Sequence, residues 1–171
     1  MIGRGRFVAR FLLLFAALAA LGWVTGAPRL YARALRVAGS ATSPLVNGWT
    51  LEDRSMTSGR QEIFFRRGND QLPLALGLGQ LALSLLPLLA LLGATPGLGA
   101  RGLAARAGIG AAALFALDLL VLLAYPWLVG TPNAVTDIAG TFLGLLTFVG
   151  GPVILWFVLT YEQLRGVWRL S

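Results

Sequence analysis

The sequence predicts an all-α integral membrane protein: a four-helix transmembrane bundle with an extracytoplasmic loop that carries a short amphipathic helix and suits a β-hairpin. Three observations lead there. The 171 residues are 57% hydrophobic and only 12% charged, against roughly 25% charged in soluble domains. A chain this apolar could not hide its surface from water. Four apolar stretches each approach the ~20 helical residues that cross about 30 Å of hydrocarbon. One segment, 28–71, gathers seven of the 14 basic residues and four of the seven acids.

The first span runs over about 7–25, after Arg4 and Arg6, and is uncharged beyond Arg10. An arginine flank, a short apolar core and "TGAP" also fit a secretory signal. Cleavage after Ala27 would set Pro28 just past the cut, where proline restricts the residue before it, so the segment reads as an uncleaved anchor. The remaining spans are about 72–94, 108–129 and 138–161, and the loop 95–107 is short and Gly-rich.

The outer loop opens with "PRLYARALRVAG". Pro28 suits a first helical turn and Gly39 a stop. Arg29, Arg33 and Arg36 share one face, and Leu30, Ala34 and Val37 another. This pattern reads as an interfacial helix lying along lipid headgroups, where the arginines meet headgroups or a partner. The competing reading is that the helix only continues the first span outward. Turn formers "NG", "TSG" and "GND" then bracket two extended stretches, about 49–56 and 61–67, a hairpin pattern. Two strands alone are marginal in water, so the hairpin must lean on the membrane or on a partner.

Arginine counts set the orientation. With both termini in the cytoplasm, seven arginines lie inside and seven in the loop 28–71. The tie is broken by "GTPNAVTD" (130–137), which has no basic residue, while the opposite ends of the flanking spans carry two each. Both termini are therefore expected in the cytoplasm, in a protein of the bacterial inner membrane, with 28–71 on the outer face. Trp23 and the "YPW" at 125–127 mark the outer interface, and Trp156, Tyr161 and Trp168 the inner one.

Few residues in the spans are chemically distinctive. Gly140, Gly144, Thr147 and Gly151 fall on one stripe of the fourth span, a surface for close helix packing within the chain or between two copies. Pro87 and Pro152 withdraw an N–H from the carbonyls of Leu83 and Phe148 and break their helices. Broken helices occur at transporter sites, yet proline kinks are also ordinary in membrane helices. Asp118 lies about ten residues from either end of the third span, or roughly 15 Å at 1.5 Å per residue. That is the bilayer centre, with Ser84, Thr147 and the two freed carbonyls at similar depth. An intramembrane acid is a functional candidate by default. Three readings stay open: a hydrogen-bonding structural group, a partner for a cation on another protein, and a site on a transport path.

The chain has no cysteine and no histidine. A thiolate nucleophile, a disulfide and a Cys/His zinc site are thereby excluded. No nucleophile–base pair or metal cluster is visible, so neither catalysis nor a cofactor is expected. All 14 basic residues are arginine; phosphate or headgroup binding is one reading of that bias, and a G- and C-rich genome is the simpler one. Nucleic acid is not an expected partner, because no basic run interleaves with aromatics on a soluble module.

In outline, the layout resembles the small four-span membrane proteins that accompany exosortases in bacterial protein-sorting systems. The residues that carry the resemblance are the Arg-flanked first span, "APRLYARALRVAG", the strand-like outer segment and the closing "GPVILWFVLTYEQL". It implies an accessory to a sorting enzyme, and it assigns no functional residue. The expected function is a non-catalytic accessory or assembly protein that contacts a partner membrane protein through 28–71 and Asp118. The alternative is a small transporter or channel subunit with Asp118 on its path. A homo-oligomer through the glycine stripe is the third expectation.

Overall fold

The computed structural model describes residues 4–55, 61–74, 78–130 and 133–168. Three helices are long and apolar enough to cross a membrane, and a shorter apolar helical segment lies between the first and second of them. The first is α1, Arg4–Thr25. It ends at Gly26, whose φ of 68° is left-handed and favours glycine. A separate helix, α2, then runs Ala27–Val46 with Pro28 in its first turn. Gly26 thus breaks the chain between them, so α2 is not a continuation of the first span.

Gly39 does not stop α2. A Cβ there would meet Leu122 Cδ2 at 2.7 Å and Leu51 Cδ2 at 3.3 Å. Gly39 lets α2 approach the helix that carries Leu122 closely, and α2 passes it and continues through Pro44. Its buried positions, Leu35, Gly39 and Ser43, recur every four residues, the period of one helix face.

In place of a two-stranded hairpin stands a three-stranded antiparallel sheet of β1 (Thr50–Ser55), β2 (Gln61–Arg67) and β3 (Asp70–Pro73) in that spatial order. The third strand takes Leu72 and Pro73 from the expected second span and Asp70 and Gln71 from the expected loop. Phe65 pairs with Leu72 and Phe64 with Pro73. An apolar run alone does not separate a short strand from the start of a helix. The second span, expected over 72–94, is accordingly shorter: α3 (Leu78–Leu81), a 3₁₀ turn (Ala82–Ser84) and α4 (Leu85–Ala94). Those 17 helical residues make about 25 Å, at the lower limit for crossing a bilayer. The 3₁₀ turn sits where Pro87 withholds its N–H from Leu83.

Helix α5 spans Ala100–Gly130, so eight of the 13 residues of the expected loop 95–107 are helical. The last apolar stretch is α6 (Ala134–Leu145), a π-helical turn (Leu146–Gly150) and α7 (Gly151–Trp168). Asn133 caps α6: its side chain accepts from Val135 and Thr136 N–H, and the Thr136 hydroxyl accepts from the Asn133 N–H. The π turn absorbs the break at Pro152, and the Gly151 N–H donates to Leu146 O, one residue further back than in an α-helix.

Two cores hold the molecule together. One joins the sheet to the bundle, with Leu35, Leu51, Phe65, Leu78, Leu122 and Tyr125 as its main members. The Phe65 and Tyr125 rings stack 6.0 Å apart. The other, around Leu88, Leu92, Leu114, Trp156 and Leu164, ties α4 and α5 to α7. Tyr125 and Trp156 are therefore core residues, not part of an aromatic belt; Trp156 Nε1 donates to Thr95 Oγ1 at 2.8 Å. Trp23 and Trp127 are exposed, as a belt requires.

Candidate functional site

Asp118 is fully buried on α5, and its partner comes from the outer segment. The Tyr31 hydroxyl of α2 donates to Asp118 Oδ2 at 2.5 Å. The Tyr31 ring meets Phe115 edge-on at 5.6 Å. Burial pushes the Tyr31 phenol far above its ordinary range, and the neighbouring carboxyl pushes it further. The phenol therefore remains a proton donor at every physiological pH.

Helix α2 crosses α5 instead of following it. Tyr31 meets Asp118, Gly39 meets Leu122, and Asn47 Nδ2 donates to Leu123 O at 2.8 Å. About 24 Å of α2 thus passes over about 7.5 Å of α5. The two ends of α2 are each fixed by one polar side-chain bond, and the middle by packing. The Ser43 hydroxyl donates to Trp49 O, and Tyr125 Oη donates to Pro73 O at 3.0 Å. Helix α2, the sheet and the C-terminal half of α5 therefore form one docked platform.

Neither Ser84 nor Thr147, the hydroxyls expected near Asp118, is bonded to it. Ser84 Oγ donates to Leu81 O at 2.7 Å within its own turn. The break at Leu83 falls beside the 3₁₀ turn, and Phe148 lies within the π turn. Asp118 Oδ1 and Thr147 Oγ1 are both buried and find no hydrogen-bond partner among the described residues. Composition alone gives no pointer to Tyr31; with Tyr31, Leu35 and Gly39 spaced four apart, only the buried face of α2 marks it.

The glycine stripe divides. A Cβ on Gly151 would meet Leu146 O at 2.8 Å and Leu117 Cδ2 at 3.2 Å, so Gly151 is a close-packing position. A Cβ on Gly140 or Gly144 meets nothing within 4 Å. These two line an open crevice between α5 and α6, which corrects their expected role in helix packing within the chain. Substituting alanine at Gly144 is expected to leave the melting temperature in detergent unchanged or slightly raised, since glycine in a helix costs roughly 0.5–1 kcal/mol relative to alanine. A clear fall in melting temperature would show that a helix covers this position.

The arginines of α2 also differ. Arg36 is engaged by Asp53, at 2.5 Å. Arg29 and Arg33 are exposed and form no ion pair among the described residues. On the adjoining flank of α2, Leu30, Val37 and Leu45 are exposed as well. Arg67 lies over the Trp49 ring at 4.6 Å, and Arg66 faces Glu52 at 3.7 Å. Among the described residues no group of three or more acids could hold a metal ion.

Comparison with protein-family models, with curated proteins and with solved structures finds no match to this chain.

Proposed function

We propose that this protein is a non-catalytic accessory or assembly protein of a bacterial inner membrane, with an outer platform that it presents to a partner membrane protein. The supporting observation is the docking of α2 and the sheet on the bundle. A loose loop would need no buried hydrogen bond between Tyr31 and Asp118, and ordering a segment costs about 1–2 kcal/mol per residue in backbone entropy. In this reading Asp118 is the anchor of the platform, not a proton carrier. The exposed apolar flank of α2 (Leu30, Val37, Leu45) beside Arg29 and Arg33 suits a free surface turned toward a partner. An exosortase-like sorting enzyme is the partner that the sequence outline suggests.

The test is site-specific photocrosslinking from Val37 in the native membrane. A discrete heteromeric product that disappears when Leu30 is changed to glutamate supports the reading. Products with lipid alone, or with a second copy alone, contradict it.

Orientation has its own test. The chain has no cysteine, and Asn69 is exposed at the turn between β2 and β3. An Asn69→Cys variant should react with a membrane-impermeant maleimide in spheroplasts. Labelling only after lysis would put the platform on the cytoplasmic side.

A further inference from the structure

We propose that the crevice between α5 and α6 binds a lipophilic cation, a compact ammonium group on an apolar body. The inference does not depend on the accessory reading.

Helix α6 and the π turn that follows divide their residues between two sides. Val135, Ile138, Phe142, Leu145 and Val149 are large, apolar and exposed on one side. Thr136, Asp137, Gly140, Thr141, Gly144 and Thr147 face the crevice. A membrane helix directs large apolar side chains to lipid and keeps small or polar ones for protein contact or a cavity. Between the buried Thr136 and Thr147 this side is open: Cβ atoms on Gly140 and Gly144 would reach nothing within 4 Å. The space is a cavity of about 300 Å³, the size of a small-ligand site.

A second observation points to an occupant. Thr147 lines the inner part of the cavity, is fully buried, and its hydroxyl has no partner among the described residues. A buried hydroxyl without a partner costs roughly 1–3 kcal/mol, a cost that a bound polar group or its water would relieve. Threonine on a helix ordinarily satisfies itself on the preceding turn, as Thr95 and Thr160 do here.

The charge of the occupant follows from the walls. Asp137 lines the crevice, and none of the lining residues is basic. Tyr125 and Phe148 contribute two aromatic rings, whose faces attract a quaternary ammonium. The rest of the α5 wall is aliphatic, including Val121, Leu128 and Val129, and suits an apolar body. An anion would meet the Asp137 carboxylate and no basic side chain.

The experiment uses the full chain in detergent micelles, with benzyltrimethylammonium as the probe. Its neutral isostere, neopentylbenzene, and the anion benzenesulfonate are the controls, and saturation-transfer NMR with titration is the readout. Saturable binding of the ammonium is expected, with at least tenfold preference over both controls. Gly144→Leu should abolish it by filling the crevice, and the open space at Gly144 predicts that this variant folds. Asp137→Asn, at an exposed position, should weaken binding about tenfold without changing the fold, as loss of a nearby opposite charge at intermediate dielectric implies. Equal binding of the neutral isostere, no saturable binding of the ammonium, or unchanged binding in Gly144→Leu would each overturn the proposal.

Discussion

Replacing Asp118 with leucine is expected to destabilise the folded protein by about 1–3 kcal/mol and to release α2 from the bundle. The half-buried Tyr31 donates through its hydroxyl to Asp118 Oδ2. Leucine removes that acceptor and leaves a donor unpaired away from water, which costs about that much. Asparagine differs, because its amide oxygen can accept from the same phenol. Asp118→Asn should therefore stay within about 1 kcal/mol of the native protein. Tyr31→Phe should resemble Asp118→Leu, since it leaves the carboxyl without its partner. The double variant Tyr31→Phe/Asp118→Leu should cost less than the sum of the singles, because replacing both partners of a buried hydrogen bond with apolar groups approaches neutrality. Thermal unfolding in detergent of these four variants checks the pattern. If Asn proved as damaging as Leu, the charge of Asp118 would be what matters, and pairing with a cation on a partner would replace the anchor.

Gly151→Ala is the second large effect. A Cβ there would stand 2.8 Å from Leu146 O and 3.2 Å from Leu117 Cδ2. The first contact is backbone, held in the π turn by the Gly151 N–H, which donates to that same carbonyl. A clash with backbone cannot be relieved by a rotamer change. Overpacking of this kind typically costs 1–3 kcal/mol, so the melting temperature in detergent should fall clearly. Gly110→Ala makes a useful contrast: its nearest atom, Leu88 Cδ2 at 2.7 Å, is the end of a side chain that can move. Gly151→Ala should be the more damaging of the two. Equal tolerance would mean that the π turn opens without cost.

Much of this arrangement was legible in the sequence, for definable reasons. Long apolar runs announced α1, α5 and the α6–α7 stretch, because lipid demands unbroken apolar length. Pro28 and the arginine spacing marked α2, and turn formers marked the β1–β2 pair. The third strand was missed because Leu72, Pro73 and Leu74 are as apolar as the helix that follows, and hydropathy does not encode geometry. Gly39 looked like a stop signal and is a packing position; glycine serves both uses, and only the neighbour at Leu122 distinguishes them. The stripe of Gly140, Gly144 and Gly151 looked uniform, yet only Gly151 is packed. Asp118 stood out by its chemistry, but its partner lies 87 positions away, on an element assigned to the lipid surface. Long-range pairing of that kind leaves no periodic trace.

Hydrogen exchange of α2 measures the docked platform most directly. The native protein and the Asp118→Asn and Asp118→Leu variants are compared in lipid nanodiscs. Amides of residues 27–46 should be protected in the native protein and in Asn, and should exchange much faster in Leu, while α5 remains protected in all three. Rapid exchange of α2 in the native protein, or equal protection in the Leu variant, would contradict the claim that Tyr31 and Asp118 anchor the outer platform.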